Sequence, residues 1–316
     1  MAWHYTVYCS DKLDGLAAAA ILLRAFRLRN IHAKIGGFLQ YGDVNVFDQI
    51  TEQKNALLFI LDFSPEEITE HQLQAITANN RIAYWNSHHP YSKEQQEMVQ
   101  KHIKILDLSG QLKDSIVFEQ KKCAAELVMQ KFLPHDHVAT ELSALAHDSE
   151  FWLRKDPRAG QLADLINSGF DKKHIIDALS KGVLWSEHFE RQRIDYLNKK
   201  QKAMDNLLRR LMIKNYLHLA FGFVLAPPLL GSSEAGQWML DKHNGFDVAV
   251  VVFRDGKVSF RKRENIDFDL EPLGKLFGGG GHDYASSGQL SKNVTYENFE
   301  DVVYMMDRKL KDHLLR

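Results

Sequence analysis

The sequence has few cysteines, no long hydrophobic run and almost no net charge, and each shortage excludes a class of protein. Its two cysteines, Cys9 and Cys123, cannot form a disulfide framework and lack the paired spacing of a zinc site. The longest aliphatic stretch, Leu16 to Leu23, is far shorter than the roughly 20 residues that span a bilayer. The 40 Lys and Arg residues are balanced by 41 Asp and Glu residues. The chain therefore lacks the overall basic field that would predict binding to nucleic acid or to a membrane surface.

The first ten residues lack the pattern of a signal peptide, and cysteines without a disulfide framework suit a reducing compartment. We therefore expect a cytoplasmic protein with no membrane association. The 316 residues are enough for two ordinary domains, because a single core rarely grows beyond about 250 residues. Any binding site for an anion must then be local.

The N-terminal part alternates short apolar runs with helical patterns, which predicts a doubly wound α/β domain built on a parallel sheet. The predicted strands are Tyr5 to Cys9, Ala56 to Leu61 and Arg81 to Trp85. Helices are predicted at 14–30, 64–80, 119–132 and 138–152.

The segment 186–215 is charged, has no Gly or Pro and carries apolar residues at helical spacing, which predicts a connecting helix. Strand-like segments follow at 217–226, 246–253 and 257–262, with Asp255-Gly256 as a hairpin turn between the last two. We therefore predict three parts, which are an α/β domain at 1–185, the connecting helix at 186–215, and a smaller mixed α/β domain at 216–316.

Polar side chains follow the three N-terminal strands, at the end of an open parallel sheet where ligands bind. Asp14 comes after the first strand, Asp62 after the second, and His88 with His89 after the third. Two carboxylates and two imidazoles in one crevice would suit a divalent cation such as manganese. The alternative is that Asp14 and Asp62 cap helices and that the histidines belong to an ordinary loop.

A second candidate site lies near the C-terminus, where four glycines precede His282. Such a run, including Gly279, Gly280 and Gly281, lets the backbone approach an anion and point N–H groups at it. Arg261 on the preceding strand is a candidate to hold a phosphate or carboxylate with its fork-shaped guanidinium. The alternatives are a surface loop and a solvated strand arginine.

Taken in order, these features resemble the DHH/DHHA1 phosphoesterase family. D-G with an alanine-rich helix, then D-F-S, x-H-H and H-D-S-E-F-W follow one another as the family's four motifs do. The segment Lys122 to Phe132 is similar to the family's helix between the third and fourth motifs. V-S-F-R at Val258 to Arg261 and G-G-G-G-H-D-Y-A at Gly278 to Ala285 are similar to its DHHA1 domain. The resemblance implies a DHH domain with a two-metal phosphoesterase site and a DHHA1 domain that binds substrate.

The resemblance also implies that one metal position is preserved and the other is lost. Lys12 stands at an aspartate position of the first motif, with its ammonium in place of a cation, and Ser87 stands at the aspartate of the D-H-H triplet. We therefore expect one manganese or magnesium ion, with weak or absent hydrolysis. His88 and His89 would be the catalytic residues, and His89 would contact the scissile phosphate. The ligands of the preserved position match Asp14, Asp62, His88 and Asp148.

Two functions fit these features. In the first, the protein binds the phosphate of a short oligonucleotide, nucleotide or cyclic dinucleotide in the interdomain cleft with little catalysis. It would then resemble inactivated RecJ-like proteins that have a protein partner in replication or repair assemblies. In the second, it is an active manganese-dependent phosphodiesterase or exonuclease on short oligonucleotides or cyclic dinucleotides. In both, Arg261, the glycines 279–281 and His282 hold the far end of the substrate.

Overall fold

The computed structural model describes residues 3–41, 43, 45–89, 92–102, 116–118 and 121–314. The chain divides into two compact units, Met1–Tyr196 and Leu197–Arg316. The division falls inside the segment that we predict to connect two domains, and each unit has its own sheet.

Within the described part of unit 1, five strands form one sheet in the order β2-β1-β3-β4-β5. All of its strand pairings are parallel, as predicted. The carboxyl ends of β1, β3 and β4 therefore lie side by side at one edge of the sheet. The strands are β1 (His4–Ser10), β2 (Ala33–Leu39), β3 (Ala56–Leu61), β4 (Arg81–Ser87) and β5 (Ile116–Phe118).

Helices cover both faces of this sheet, which confirms the doubly wound arrangement. On one face, the alanine-rich α1 is almost wholly buried because α5, α6 and α8 pack against it. On the other face, α2 and α3 contribute Phe47, Ile50 and Ile76 to a cluster with Tyr8 and Trp85 of the sheet. The helices are α1 (Leu13–Leu28), α2 (Asp48–Thr51), α3 (Glu70–Asn79), α4 (Lys93–His102), α5 (Ala124–Phe132), α6 (His137–Glu150), α7 (Pro157–Asn167) and α8 (Lys172–Ser180).

The predicted connecting helix is shorter than the segment 186–215. Helix α9 (Glu187–Leu207) ends in a 3₁₀ turn at Leu208–Arg210, and the chain then enters β6 (Met212–Tyr216). Residues of β6 alternate in exposure, and Tyr216 reaches the core while Ile213 is exposed. This period of two suits an edge strand that pairs with its neighbour, so the helical pattern does not continue.

In the described part of unit 2, six strands form a mixed sheet in the order β10-β11-β9-β8-β7-β6, where only β7 and β8 pair in parallel. The predicted hairpin turn joins β8 to β9, and Gly256 takes the positive φ of 85° that the turn requires. Helix α10 packs on one face, and α11 with α12 on the other. The elements are β7 (Leu219–Ala226), α10 (Ser232–Lys242), β8 (Val248–Phe253), β9 (Lys257–Lys262), α11 (Glu271–Leu276), β10 (Gly280–His282), β11 (Ala285–Gln289) and α12 (Phe299–Leu314).

None of the helices in the described residues is both long enough and apolar enough to cross a bilayer.

Candidate functional site

Three of the four predicted metal ligands meet at the carboxyl ends of β1, β3 and β4. Asp14 lies in the first turn of α1, Asp62 directly follows β3, and His88 directly follows β4. The Nδ1 atom of His88 lies 3.3 Å from Asp62 Oδ1 and 3.5 Å from Asp14 Oδ2. The three side chains are at most 9% exposed. The sheet therefore places two carboxylates and an imidazole around one buried point.

Gly15, which follows Asp14 at the start of α1, is required there for a steric reason. A Cβ at Gly15 would lie 2.3 Å from the Oγ of Ser10 and 2.6 Å from its carbonyl oxygen. Only glycine lets α1 begin this close to the end of β1. The Asp14 carboxylate accepts hydrogen bonds from the backbone N–H groups of Ala124 (2.7 Å) and Ala125 (2.8 Å). Asp14 therefore caps α5, while its oxygens keep further lone pairs for another partner.

Asp62 is held in an uncommon backbone conformation. Its φ of 55° lies in the left-handed region, which costs a non-glycine residue about 1–3 kcal/mol. The side chain of Asn86 compensates, because its Oδ1 accepts the N–H of Asp62 at 3.1 Å and its Nδ2 donates to the Ala124 carbonyl at 2.9 Å. Ser10 Oγ donates a hydrogen bond to Asp62 Oδ2. Asp62 Oδ1 is buried and has no hydrogen-bond partner among the residues that the structure describes.

The ring of His88 is oriented from its far side by Glu150, whose Oε1 lies 3.1 Å from His88 Nε2. The Nδ1 atom is buried and makes no hydrogen bond of normal geometry. Burial lowers the pKa of His88, but the carboxylates of Asp14, Asp62 and Glu150 outweigh burial and raise this pKa to about 12. Without a metal ion the ring is therefore protonated, and a cation bound at Nδ1 would displace that proton.

Burial and neighbouring charges also shift the pKa values of Asp62 and His89. Burial and then the charge of Asp14 raise the pKa of Asp62 to about 7. Burial and then the charge of His88 lower the pKa of His89. The ligand atoms of Asp62, His88 and His89 lie within 4.8 Å of one another. His89 is thus a neutral imidazole that can act as a ligand or a hydrogen-bond donor at neutral pH.

Two neighbours hold the loop that carries His89. Its backbone N–H donates to Ser87 Oγ at 3.1 Å. Its ring lies edge-on to Tyr41, with centroids 4.9 Å apart, and 4.1 Å from the ring of His88. Ser87, at the aspartate position of the triplet, therefore positions His89 through the backbone.

The structure does not bring Asp148 into contact with the three converging residues. Asp148 is buried on α6, where its carboxylate accepts the N–H groups of Lys155 at 2.8 Å and Asp156 at 3.4 Å. Glu150, two residues further along α6, is the side chain that reaches His88. The sequence reasoning did not identify Glu150, and a metal-ligand role for Asp148 stays a prediction.

Asp11, which lies next to the metal position that the family resemblance predicts to be lost, is already paired. Lys172 Nζ lies 3.1 Å from Asp11 Oδ2, which also accepts a hydrogen bond from Gln40 at 3.2 Å. Lys12, predicted to replace the lost cation, lies 3.8 Å from Asp11 Oδ1 and its side chain is 68% exposed. Lys172 is thus the closer internal cation. No local pattern indicates it, since it lies 161 positions from Asp11.

In unit 2, Arg261 lies on the face of the sheet that α10 covers. It stands in register between Ala249 and Ala285, and Ala249 belongs to the cluster under α10. A Cβ at Gly236 of α10 would lie 3.3 Å from Arg261 Cδ, so this glycine makes room for the arginine stem. The Nε of Arg261 is buried without a hydrogen-bond partner. Its guanidinium therefore retains an unused donor.

The glycine run is partly a strand rather than a loop. Gly281 has a φ of 146°, and a Cβ there would lie 2.5 Å from the Ala285 carbonyl oxygen. A Cβ at Gly279 would lie 2.1 Å from the Ser287 carbonyl oxygen, whereas Gly280 has open space around it. These glycines thus allow β10 to approach β11 closely.

His282 shares a face of the sheet with Arg261. Both residues are paired in register with Ala285, from opposite sides of β11, and directly opposed residues point to the same face. The exposed ring of His282 stacks on Tyr284, with centroids 5.4 Å apart. The small side chain of Ala285 leaves space between the two basic groups.

No family model and no curated protein matches the sequence. The fold is nevertheless similar to solved structures. One is described as the DHH domain of a member of a family of ribosomal proteins, with 12% identity over 98% of this chain and 86% of that chain and a TM-score of 0.58. RecJ from Thermus thermophilus in complex with Mn²⁺ has 14% identity over 96% and 51%, with a TM-score of 0.56. The pGpG-specific phosphodiesterase of Vibrio cholerae has 13% identity over 98% and 99%, with a TM-score of 0.51.

These likenesses show the fold. The chain has the DHH/DHHA1 architecture of an α/β unit followed by a smaller mixed α/β unit, as the sequence motifs implied. It spans about half the length of the Thermus RecJ chain.

Proposed function

We propose that the protein binds a phosphate ester of the nucleotide class and one divalent cation, with weak or absent hydrolysis. The observation that carries this proposal is the convergence of two buried atoms, Asp62 Oδ1 and His88 Nδ1, which lie 3.3 Å apart and, in the described part of the chain, make no hydrogen bond of normal geometry. Buried polar atoms are rarely left without a hydrogen bond, and a bound ion is one explanation of such exceptions.

The donor set fits manganese or magnesium. Carboxylate oxygens from Asp14 and Asp62 suit either cation, and the imidazole of His88 favours manganese. His89, and Asp148 as implied by the family motifs, would complete the set. When bound, the ion would act as a Lewis acid on a phosphoryl oxygen.

The second metal position of a two-metal site is not supported by the residues present. Ser10 Oγ donates to Asp62 Oδ2, the oxygen that would otherwise remain free for a second ion. Asp11 is neutralised by Lys172. A two-metal phosphoryl transfer uses the pair of ions to stabilise both the attacking and the leaving oxygen. The loss of one position therefore favours binding over rapid turnover.

The chain's own side chains supply the rest of the chemistry. Glu150 holds the His88 ring by Nε2, which leaves Nδ1 directed at Asp62 and Asp14. Such a carboxylate behind a ligating histidine fixes the ring orientation and strengthens the ligand. His89, kept neutral by burial and by His88, can donate a hydrogen bond to a phosphoryl oxygen.

In unit 2, Arg261 and His282 would bind a phosphate or carboxylate of the same class of ligand. The unused Nε–H of Arg261 and the exposed imidazole of His282 lie on one face, with the glycines 279–281 beside them. An arginine that donates to a phosphate forms a charge-assisted hydrogen bond, which is stronger than a neutral one. The ligand would be a short oligonucleotide, a nucleotide or a cyclic dinucleotide.

The alternative is an active manganese-dependent phosphodiesterase or exonuclease. It is favoured by the convergence of Asp14, Asp62 and His88, and by neighbours that are described as a phosphodiesterase and as a manganese-bound RecJ. A one-metal site can still polarise a phosphoryl oxygen, although it lacks the second ion that stabilises the opposite oxygen.

Titration of the dialysed protein with Mn²⁺, followed by electron paramagnetic resonance, tests the proposal. We expect one bound ion per chain, and two tightly bound ions would contradict it. The same samples are assayed on a short RNA and on pGpG. Turnover that disappears in Asp62→Asn would establish the active alternative, whereas activity that survives in that variant would come from a contaminant.

A further inference from the structure

Next to the converging aspartates, unit 1 contains a cavity of about 490 Å³, which is much larger than a metal ion. Its wall is formed by the start of α1, the loop after α6 and one face of α7. The volume lies within the roughly 300–1,000 Å³ of small-molecule sites. Glu150, which contacts His88, and Asp148 line the cavity, so that it opens beside the candidate metal centre.

A tryptophan and an arginine stand at this cavity in an uncommon backbone conformation. Trp152 and Arg154 have φ values of 54° and 55°, in the left-handed region. Trp152 is 74% exposed, although exposure of so large an apolar ring to water is unfavourable. The guanidinium of Arg154 lies 5.6 Å from the centre of the Trp152 ring. The loop thus presents an aromatic plane and a cation together.

The acidic residues that line the cavity are each engaged by a neighbour. Asp148 accepts two backbone N–H groups, Glu150 contacts His88, and Asp156 is paired with Arg158. Among the described residues, Arg154 has no ion-pair partner, and Lys12 reaches only Asp11 at 3.8 Å. An anion that entered would therefore meet Arg154, and also Lys12, which shares its partner Asp11 with Lys172.

The α7 part of the wall includes two small residues. Gly160 and Ala163 of α7 line the cavity, and a Cβ placed at Gly160 would meet no atom within 4 Å. The space beside Gly160 is therefore open and could accept a flat group.

From this geometry we infer that the cavity binds one nucleotide unit, with its base stacked on Trp152 and its phosphate held by Arg154 and Lys12. Every base has a face that can stack on an aromatic ring, and arginine adds a cation–π contribution. The inference rests on the proposed function in one respect, since the phosphate would lie on the side of Asp14 and His88. It goes beyond the proposed function because the protein would recognise the base of the nucleotide as well as its phosphate.

The test measures binding in EDTA, so that neither metal nor hydrolysis enters, and uses the Arg261→Ala chain to remove the anion site of unit 2. The probes are AMP and ribose 5-phosphate, which share the phosphate and differ in the base. We expect AMP to bind more tightly. Trp152→Ala should weaken AMP binding by about 5- to 150-fold, which corresponds to the roughly 1–3 kcal/mol of one base stacked on an aromatic ring. Binding of ribose 5-phosphate should not change.

Gly160→Leu provides an independent variant, because it fills the open space without touching Trp152 or a metal ligand. It should abolish binding of AMP, while Gly160→Ala, the matched control, should stay within about twofold of the parent, since one added methyl occupies little of the cavity. The inference is overturned if the Arg261→Ala chain does not bind AMP, if Trp152→Ala weakens both probes equally, or if Gly160→Leu leaves AMP binding unchanged.

A Mn²⁺ titration of the same variants separates this inference from the proposed function. Neither Trp152 nor Gly160 is a proposed metal ligand, so the Mn²⁺ stoichiometry of the two variants should match that of the parent. Loss of base-dependent binding with an intact metal site would contradict the nucleotide cavity alone. Normal AMP binding without any bound Mn²⁺ would contradict the metal proposal alone.

Discussion

The two units differ in the kind of buried atom that their candidate sites leave unpaired. Among the described residues, the atoms in unit 1 are Asp62 Oδ1 and His88 Nδ1, which both offer electron pairs once the His88 ring has lost its proton. In unit 2 the atom is Arg261 Nε, which offers a proton. The first site therefore calls for a cation and the second for an anion.

The largest expected effect tests the cation site. Asp62→Asn keeps the size of the side chain, and asparagine tolerates the left-handed backbone that position 62 adopts. It removes the carboxylate at the centre of the site. We expect Mn²⁺ affinity to fall by more than ~100-fold, beyond the roughly 10- to 100-fold that loss of an outer-shell partner costs. Calorimetric titration measures the change.

Asp11→Asn is the matched control, because it removes a nearby carboxylate that is paired with Lys172. Its Mn²⁺ affinity should stay close to that of the parent. Equal losses in the two variants would show that general negative charge, rather than Asp62, attracts the ion.

The next effect tests the anion site. Arg261→Ala should weaken binding of a fluorescent short oligonucleotide by about 10- to 150-fold, since a charge-assisted hydrogen bond contributes about 1.5–3 kcal/mol. Lys262→Ala removes the same charge from the next position of β9, whose side chain points to the opposite face. Fluorescence anisotropy at fixed salt compares them. If both variants lose affinity alike, the effect is electrostatic steering and not a contact.

A smaller effect concerns the residue that orients His88. Glu150→Gln keeps an acceptor oxygen for Nε2 but loses the charge, so Mn²⁺ affinity should fall by about tenfold, at the low end for an outer-shell partner. Glu141→Gln alters an exposed partner of Arg158 on the same helix and serves as control. Unchanged affinity in Glu150→Gln would mean that the His88 ring is held by its other contacts.

The smallest effect concerns the acid response of unit 2, away from both sites. Burial opposes ionisation of Asp307, but Lys311 and the Tyr216 hydroxyl, each 2.9 Å away, outweigh it and lower the pKa of this carboxyl. A lowered folded-state pKa stabilises the protein above the usual Asp pKa of about 3.9. That stability is lost as the pH falls below it.

Asp307→Asn should therefore lower the Tm near neutral pH, by an amount that reflects about 1 kcal/mol for one hydrogen bond. The gap from the parent should narrow in acid. Thermal melts followed by circular dichroism at about pH 7 and about pH 3, on either side of the usual Asp pKa, give the comparison. A gap that is the same at both pH values would show that ionisation of Asp307 does not contribute.

Much of the fold could be predicted from the sequence, because buried parallel strands and hairpins leave strong local patterns. The strand at Ala56–Leu61 and the strand at Lys257–Lys262 have the predicted bounds. The strand at Ala33–Leu39 was not predicted, since its adjacent glycines weaken a strand pattern. They are needed because a Cβ at Gly36 would lie 2.5 Å from the ring of Tyr8. The three-residue strand at Ile116–Phe118 is too short to give a signal.

The candidate site was only partly accessible from sequence. Strand ends predicted that Asp14, Asp62 and His88 would meet, because parallel strands bring their carboxyl ends to one edge. Glu150 could not be found in this way. Side chains at 148 and 150 point in different directions from the helix, and only the placement of α6 against the sheet decides which one reaches His88.

The capping of α5 by Asp14 also fixes when the candidate metal centre can form. Asp14 and Ala124, which donates a backbone hydrogen bond to it, are 110 residues apart in the sequence. Ser10 and Asp62, which are also hydrogen-bonded, are 52 residues apart. Closing such long loops is entropically costly, so contacts of this kind form late in folding. A cation therefore cannot serve as an early folding nucleus during synthesis of the chain. A bound cation would instead stabilise unit 1 after it has folded. Removal of the cation by a chelator should therefore speed the unfolding of unit 1 more than it slows its refolding.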